Sequence, residues 1–269
     1  MLLVLTGLCA FAACGSPTPA PVPPTTHAAA EDPTVWEAYR RAAGGDALGR
    51  VRSLRVTGFA VDPTERGNRR LVIEAAAPSR YRQRETPTTS RGSNIRTLVG
   101  YNGTNGWWAG NTLLGGEGLS EDVETRNRTI TAAGRQSYIN TMAGLMPLWL
   151  QDSGLTLTTI GAITDGEDRG ATAIQITAEG APVGRLVMDA TTHLPRRLVV
   201  PHLRSIRADG GEYTISFHEY RDVGDGVQWP HRISRDKTGT SNVIIQWMIR
   251  AYQINPDLPA TTFEPPARR

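Results

Sequence analysis

By the spacing of its apolar residues, the chain opens as a helix, turns to period-two alternation, returns once to a helical stripe, and then alternates to its end. Val35, Trp36, Tyr39 and Ala42 recur at helical spacing behind the start signal Asp32-Pro33-Thr34 and predict a helix over Val35–Ala43. Gly44-Gly45 ends it, and Asp46 caps a short second turn through Val51. From Ser53, Leu54, Val56 and Gly58 alternate with Arg55, Thr57 and Phe59, the signature of a strand. Further strands are predicted over Arg70–Ala76, Arg80–Glu85 and Ile95–Tyr101. Asn102-Gly103 forms a tight turn, and Asn105-Gly106-Trp107-Trp108 opens the next strand.

The middle of the chain breaks this rhythm. Ser120-Glu121-Asp122 is a helix start with acids where the helix dipole favours them. Ile130, Gly134, Tyr138, Met142, Leu145, Met146 and Trp149 then form one stripe, and Pro147 ends or kinks the helix because it lacks an amide donor. Two helices with an apolar C-terminal half are expected. Strands resume over Leu155–Ile163, Ala171–Ala178, Arg185–Asp189, Pro195–Pro201, Glu212–Arg221, Val227–Arg235 and Asn242–Ile254, separated by glycine-rich turns. Neighbouring strands on short turns predict an antiparallel meander: a mainly β, α+β fold with one large curved sheet. Its concave face needs a cover, and the helical segments are the only material for it. A cover that does not fill the space leaves an apolar cavity.

The leader has a different character. Met1 to Ala13 is an apolar run too short to span a bilayer but suited to a secretory signal. It ends Phe11-Ala12-Ala13-Cys14-Gly15-Ser16, which resembles a bacterial lipobox, with Phe11 where leucine is usual. Cys14 is then the lipidated first residue of the mature chain; the alternative is an ordinary signal peptide cut near Ala13. Residues 15–31 are mostly Pro, Ala and Thr. Such a tether extends at ~3 Å per residue and reaches up to roughly 50 Å from the bilayer. The expected division is 1–13 signal peptide, 14–31 lipidated cysteine and tether, and 32–269 a single domain.

Composition narrows the chemistry. Both cysteines lie in the leader, so the domain has no disulfide, thiol nucleophile or cysteine-ligated zinc. The net charge is +3 and Lys237 is the only lysine. Arginines and acids are interspersed, which gives no nucleic-acid footprint but leaves room for mild attraction to anionic headgroups. His27, His193, His202, His218 and His231 show no metal-ligand spacing, and no Gly-x-Ser-x-Gly elbow marks a nucleophile. His218 is expected to share a solvent-facing strand face with Ser216 and Tyr220. No cofactor is expected.

Several motifs occur in a telling order. Ala42 to Leu48 leads into Val51-Arg52-Ser53-Leu54-Arg55-Val56-Thr57-Gly58. Then come Ala77-Pro78-Ser79-Arg80-Tyr81-Arg82 and Tyr101-Asn102-Gly103-Thr104-Asn105-Gly106-Trp107. Later, Leu186-Val187-Met188-Asp189 runs on to Leu194-Pro195-Arg196-Arg197. Tyr220-Arg221-Asp222-Val223-Gly224-Asp225-Gly226-Val227-Gln228-Trp229-Pro230 follows, and Ile254-Asn255-Pro256-Asp257-Leu258 with Phe263-Glu264-Pro265-Pro266 closes the set. Over about residues 36 to 266 the chain thus resembles the outer-membrane lipoprotein-sorting (LolA/LolB-like) superfamily of periplasmic lipid carriers. That resemblance implies an incomplete, strongly bent β-barrel closed by helices around an apolar cavity for acyl chains.

The resemblance and the leader together imply a membrane-anchored bacterial envelope lipoprotein, not an enzyme. It would bind acyl chains of a lipid or an acylated lipoprotein, in transfer or sorting, on the periplasmic side; Gly15 in place of a retention Asp favours the outer membrane. The alternatives are a non-catalytic sensor module that binds an envelope protein, and a hydrolase. Candidate cavity or lid residues are Tyr138, Met142, Leu145, Met146 and Trp149 on the helical stripe, with Trp107, Phe217 and Trp247 on strands. The competing reading of the stripe is a helix that simply fills the core. Because adjacent strand residues point to opposite faces, only one of Trp107 and Trp108, and one of Trp247 and Met248, faces inward.

Overall fold

The computed structural model describes residues 33–63, 68–88, 97–109, 122–201, 212–237 and 243–266. Cys14 and the tether lie outside the described residues. Two helices come first, α1 (Pro33–Ala42) and α2 (Asp46–Gly49). Five strands follow: β1 (Ser53–Val61), β2 (Arg69–Ala76), β3 (Arg80–Pro87), β4 (Thr97–Asn102) and β5 (Gly106–Ala109). After α3 (Val123–Leu145) and α4 (Pro147–Gln151) come β6 (Thr156–Ala162), β7 (Thr172–Ala178), β8 (Ala181–Met188) and β9 (Pro195–Val200). The last strands are β10 (Tyr213–Asp222), β11 (Gln228–Lys237) and β12 (Val243–Ile254).

The expected meander forms as one 12-stranded antiparallel sheet in the order β5-β4-β3-β2-β1-β12-β11-β10-β9-β8-β7-β6. The first and last strands meet in its middle, from Leu54 opposite Ile254 to Val61 opposite Gln246. The sheet is not closed, since β5 and β6 are its free edges. The helical segment joins those two edges in sequence, and α3 packs on β4 and β5 at one side and on β9 and β11 at the other.

Local chemistry sets these boundaries much as the pattern predicts. Asp122 caps α3 by accepting from the Thr125 amide at 2.7 Å, and Pro147 separates α3 from α4 at the position where a missing donor is harmless. One strand is longer than expected. β8 begins at Ala181 rather than Arg185, because Glu179 and Gly180 both take positive φ (52° and 79°) and form a two-residue hairpin turn. The start of the predicted Ile95–Tyr101 strand lies outside the described residues.

The core follows the alternation. Leu54, Val56, Leu71 and Ile73 on the sheet are fully buried, as are Tyr138, Ile139, Met142 and Leu150 on the helices above it. Among the described residues the core cluster runs from Trp36 on α1 to Ile249 on β12, with Val35 and Ile254 packed against it.

One expected face assignment fails. Glu219 has a left-handed φ of 57°, and Tyr220 beyond it packs against the core with its hydroxyl donating to Pro195 O at 2.7 Å. His218 therefore does not share a face with Tyr220. It is half-buried against Ser234 instead.

Candidate functional site

The helix-facing side of the sheet carries the candidate site, and it has three distinct parts. The first is a sealed apolar cover. On the stripe, Tyr138, Met142, Leu145, Met146 and Trp149 are 0%, 0%, 1%, 2% and 4% exposed, and Phe217 beneath them is 4% exposed. All six belong to the core cluster, so they pack as core side chains.

Glycines bring the cover that close. A Cβ on Gly134 would stand 2.6 Å from Gly100 O and 2.8 Å from Gly106 Cα, so α3 lies almost directly on the backbone of β4 and β5. At Gly144 the missing Cβ makes room for the Phe217 ring, which would otherwise be 2.3 Å away. Polar ties hold the helix in register. The Tyr138 hydroxyl donates to Pro78 O at 2.6 Å and Asn140 Nδ2 donates to Tyr213 Oη at 2.9 Å. Gln136 Nε2 reaches Val183 O at 3.2 Å, and Arg135 pairs with Glu179 at 2.8 Å.

The second part is a polar ladder on the same inner face. Tyr81, Gln83 and Glu85 alternate inward along β3. The Tyr81 hydroxyl donates to Gln83 Oε1 at 2.6 Å, and Gln83 Nε2 donates to Glu85 Oε1 at 2.8 Å. Arg69 Nε of β2 meets Glu85 Oε2 at 2.8 Å, and Thr141 Oγ1 of α3 lies 3.0 Å from the Tyr81 hydroxyl. All five side chains are buried. Burial also raises the Tyr81, Tyr138 and Tyr213 pKa values, which keeps these phenols protonated.

The third part is half-buried. Trp247 on β12 stands opposite the buried Ala60 on one side and Ile233 on the other, so it points inward, and it is only half-buried. Among the described residues its buried indole N–H has no hydrogen-bond acceptor, as is also true of Trp36 and Trp229. Ile245 lies two residues along the same face, opposite Arg235, whose guanidinium sits 3.9 Å over the Tyr213 ring. Trp108 is also half-buried and pairs with the inward Val99.

Trp107, the strand tryptophan expected at a cavity, is on the other face. It packs where Gly100 has no Cβ, and its Nε1 donates to Phe263 O at 2.9 Å. Period-two geometry makes the correction: Gly106 faces α3, so Trp107 points away and Trp108 points inward. The expected residues therefore separate into a buried group (the stripe and Phe217), a half-buried one (Trp247) and an outward one (Trp107). The ladder was not anticipated. Its only sequence signal is Tyr-x-Gln-x-Glu at strand spacing.

A serine, histidine and aspartate do come together on the outer face. His218 Nε2 is 3.3 Å from Ser234 Oγ, and Ser234 Oγ is 3.5 Å from Asp236 Oδ2. The serine lies between the other two, so the aspartate cannot orient the imidazole as a proton relay requires. Among the described residues no cluster of three His, Cys, Asp or Glu could hold a metal, and no helix is long and apolar enough to cross a membrane.

No protein-family model and no curated protein matches this chain. Solved structures do. A DUF1329 family protein from Desulfovibrio piger is similar with a TM-score of 0.50 at 10% identity, over 86% of this chain and 96% of that one. A LolA superfamily protein from Nitrosomonas europaea has a TM-score of 0.49 at 10% identity, over 85% and 97%. An outer-membrane lipoprotein-sorting domain from Vibrio parahaemolyticus has a TM-score of 0.46 at 8% identity, over 86% and 94%. At these identities the likeness is one of fold.

Proposed function

We propose that this protein is a lipid-anchored envelope protein that binds acyl chains of a lipid or an acylated lipoprotein on the inner face of its open sheet. It would act in lipid or lipoprotein transfer or sorting rather than in catalysis. The observation that carries this reading is Trp247: an inward, half-buried indole whose N–H has no acceptor among the described residues. Leaving such a donor unmade costs about 1–3 kcal/mol. An ester or amide carbonyl at the head of an acyl chain supplies the missing acceptor, and the ring supplies apolar contact for the first methylenes. Each buried methylene adds roughly 0.8 kcal/mol, which ordering costs reduce to firm but reversible binding.

The sealed stripe supports a second reading, in which the filled core presents a surface to an envelope protein and no acyl chain enters. The two differ in what the protein carries. Residues 32–269, exported to a periplasm and purified, are extracted with solvent and weighed by mass spectrometry. Near-stoichiometric phospholipid or acyl species support the carrier reading. An extract that stays empty after incubation with labelled lipids refutes it and leaves the partner-binding reading.

A further inference from the structure

The outer face of β12, β1, β2 and β3 differs from the rest of the sheet in how its arginines are partnered. Elsewhere each outer cluster comes with acids: Arg196 and Arg197 with Asp168, and Arg221 and Arg232 with Glu219. On these four strands the only outward carboxylate is Glu74, and Arg55 (3.0 Å) and Arg82 engage it already. Arg70, Arg84 and Arg250 are exposed, and among the described residues none has a carboxylate within ion-pair distance.

These arginines surround apolar side chains that are also outward. Phe59 stands between Arg70 on β2 and Met248 on β12, and Val72 stands between Thr57 and Arg84. Phe59, Val72 and Met248 are each half-buried on a solvent-facing sheet. Arg250 sits at the bulge where the β1–β12 register shifts, with its guanidinium 5.7 Å from the centre of the Phe59 ring. With strands ~4.8 Å apart, the whole group fits within roughly 15 Å.

We propose that this face docks the folded domain on an anionic lipid bilayer. Arg70, Arg84 and Arg250 reach the lipid phosphates on long stems, and Phe59, Val72 and Met248 settle at the headgroup level between them. The charge is complementary, and the interleaved apolar groups suit an interface better than a purely ionic surface. Single-stranded nucleic acid is a poorer fit. It needs open aromatic faces for base stacking, and the arginine already covers the one ring here. The proposal depends neither on acyl binding inside the sheet nor on lipidation of Cys14, so it can fail while those readings stand.

The test is co-sedimentation of residues 32–269, which contain the entire core cluster, with vesicles of phosphatidylcholine with and without one third phosphatidylglycerol. Binding is expected only to the anionic vesicles and should weaken as salt rises. Because the three arginines are exposed, the Arg70→Gln, Arg84→Gln, Arg250→Gln triple variant should melt like wild type and bind roughly 100-fold more weakly. The corresponding triple Lys variant should retain binding. Equal binding to both vesicle types, undiminished binding by the Gln variant, or no binding overturns the proposal. So does preference for an RNA oligonucleotide that depends on the same three arginines.

Discussion

Gly134 is where the seating of the cover on the sheet can be tested most directly. A Cβ there meets Gly100 O at 2.6 Å and Gly106 Cα at 2.8 Å, and both are backbone atoms in paired edge strands. Neither can yield without moving a strand, so Gly134→Ala should cost about 3 kcal/mol, the upper end of ordinary overpacking. Alanine returns about 1 kcal/mol in a helix interior, leaving a net loss of about 2 kcal/mol. For a domain of this size that lowers the melting temperature by about 4–8 °C. Two comparisons isolate the cause. At Gly144 the obstacle is the Phe217 ring, which can rotate, so Gly144→Ala should lose only about 1 kcal/mol. Gly49 has nothing within 4 Å, so Gly49→Ala should be neutral or stabilise by up to about 1 kcal/mol. Circular-dichroism melts of the three variants supply the ranking. If Gly134→Ala melts at or above wild type, α3 does not rest on the strand backbone and the case for a fixed cover fails.

Three other expectations follow from the same structure. Glu85→Ala leaves Arg69 without its partner at 2.8 Å and should cost about 3 kcal/mol in urea denaturation. The exposed Glu124–Arg128 pair should by contrast contribute well under 1 kcal/mol, and similar losses at both sites would refute the distinction. Trp149→Ala should lower stability by about 3–5 kcal/mol but spare acyl-probe affinity, while Trp247→Ala should do the reverse and weaken the probe about 30-fold. A Trp247→Ala variant that binds the probe normally would remove the indole from the site. Burial, aided by the charge of Arg232, lowers the His218 pKa from 6.5, and burial also lowers that of His231. The unfolded chain then takes up protons that the folded chain refuses, so stability present above pH 6.5 is lost as pH falls through that value. The urea midpoint should drop between about pH 7.5 and 5.5. A His218→Gln, His231→Gln variant should drop less, and an unchanged slope would count against the histidines as its source.

How much of this could be read from the sequence depended on whether a residue's neighbours share its polarity pattern. β1 was legible because Leu54 and Val56 alternate with Arg55 and Thr57, and the structure buries the first pair. Pro147 was legible because a missing donor acts locally. β3 was not. Its run Tyr81-Arg82-Gln83-Arg84-Glu85 is polar at both phases, so hydrophobicity could not say which face points inward. The answer came from β2, where Leu71 and Ile73 are unambiguous and pair with Glu85 and Gln83. Strand pairing is a long-range fact, and a one-residue change of phase would have turned the whole ladder outward. Trp107 and Trp108 posed the same problem, settled by Gly106 facing the helix.

The stripe shows a different limit. Its helical spacing correctly located a buried face, but periodicity reports only that a face is covered, not whether the cover is complete. How closely the cover lies rests on Gly134, Gly144 and Gly106, residues that contribute no hydrophobicity and matter because they lack a Cβ. Their effect is to move the candidate site. On the proposed carrier reading, an acyl chain would lie against the half-buried inner face around Trp247, near the Arg69–Glu85 end of the ladder, since Ala60 pairs with both Trp247 and Arg69. On that reading, an apolar surface bordered by a buried ion pair would favour an amphiphile over a bare hydrocarbon: the chain would lie along the indole while the polar head would meet charges that are already desolvated and fixed. The Trp247→Ala and Glu85→Ala variants therefore report on the two halves of one ligand, and affinity for a headless alkane should respond only to the first.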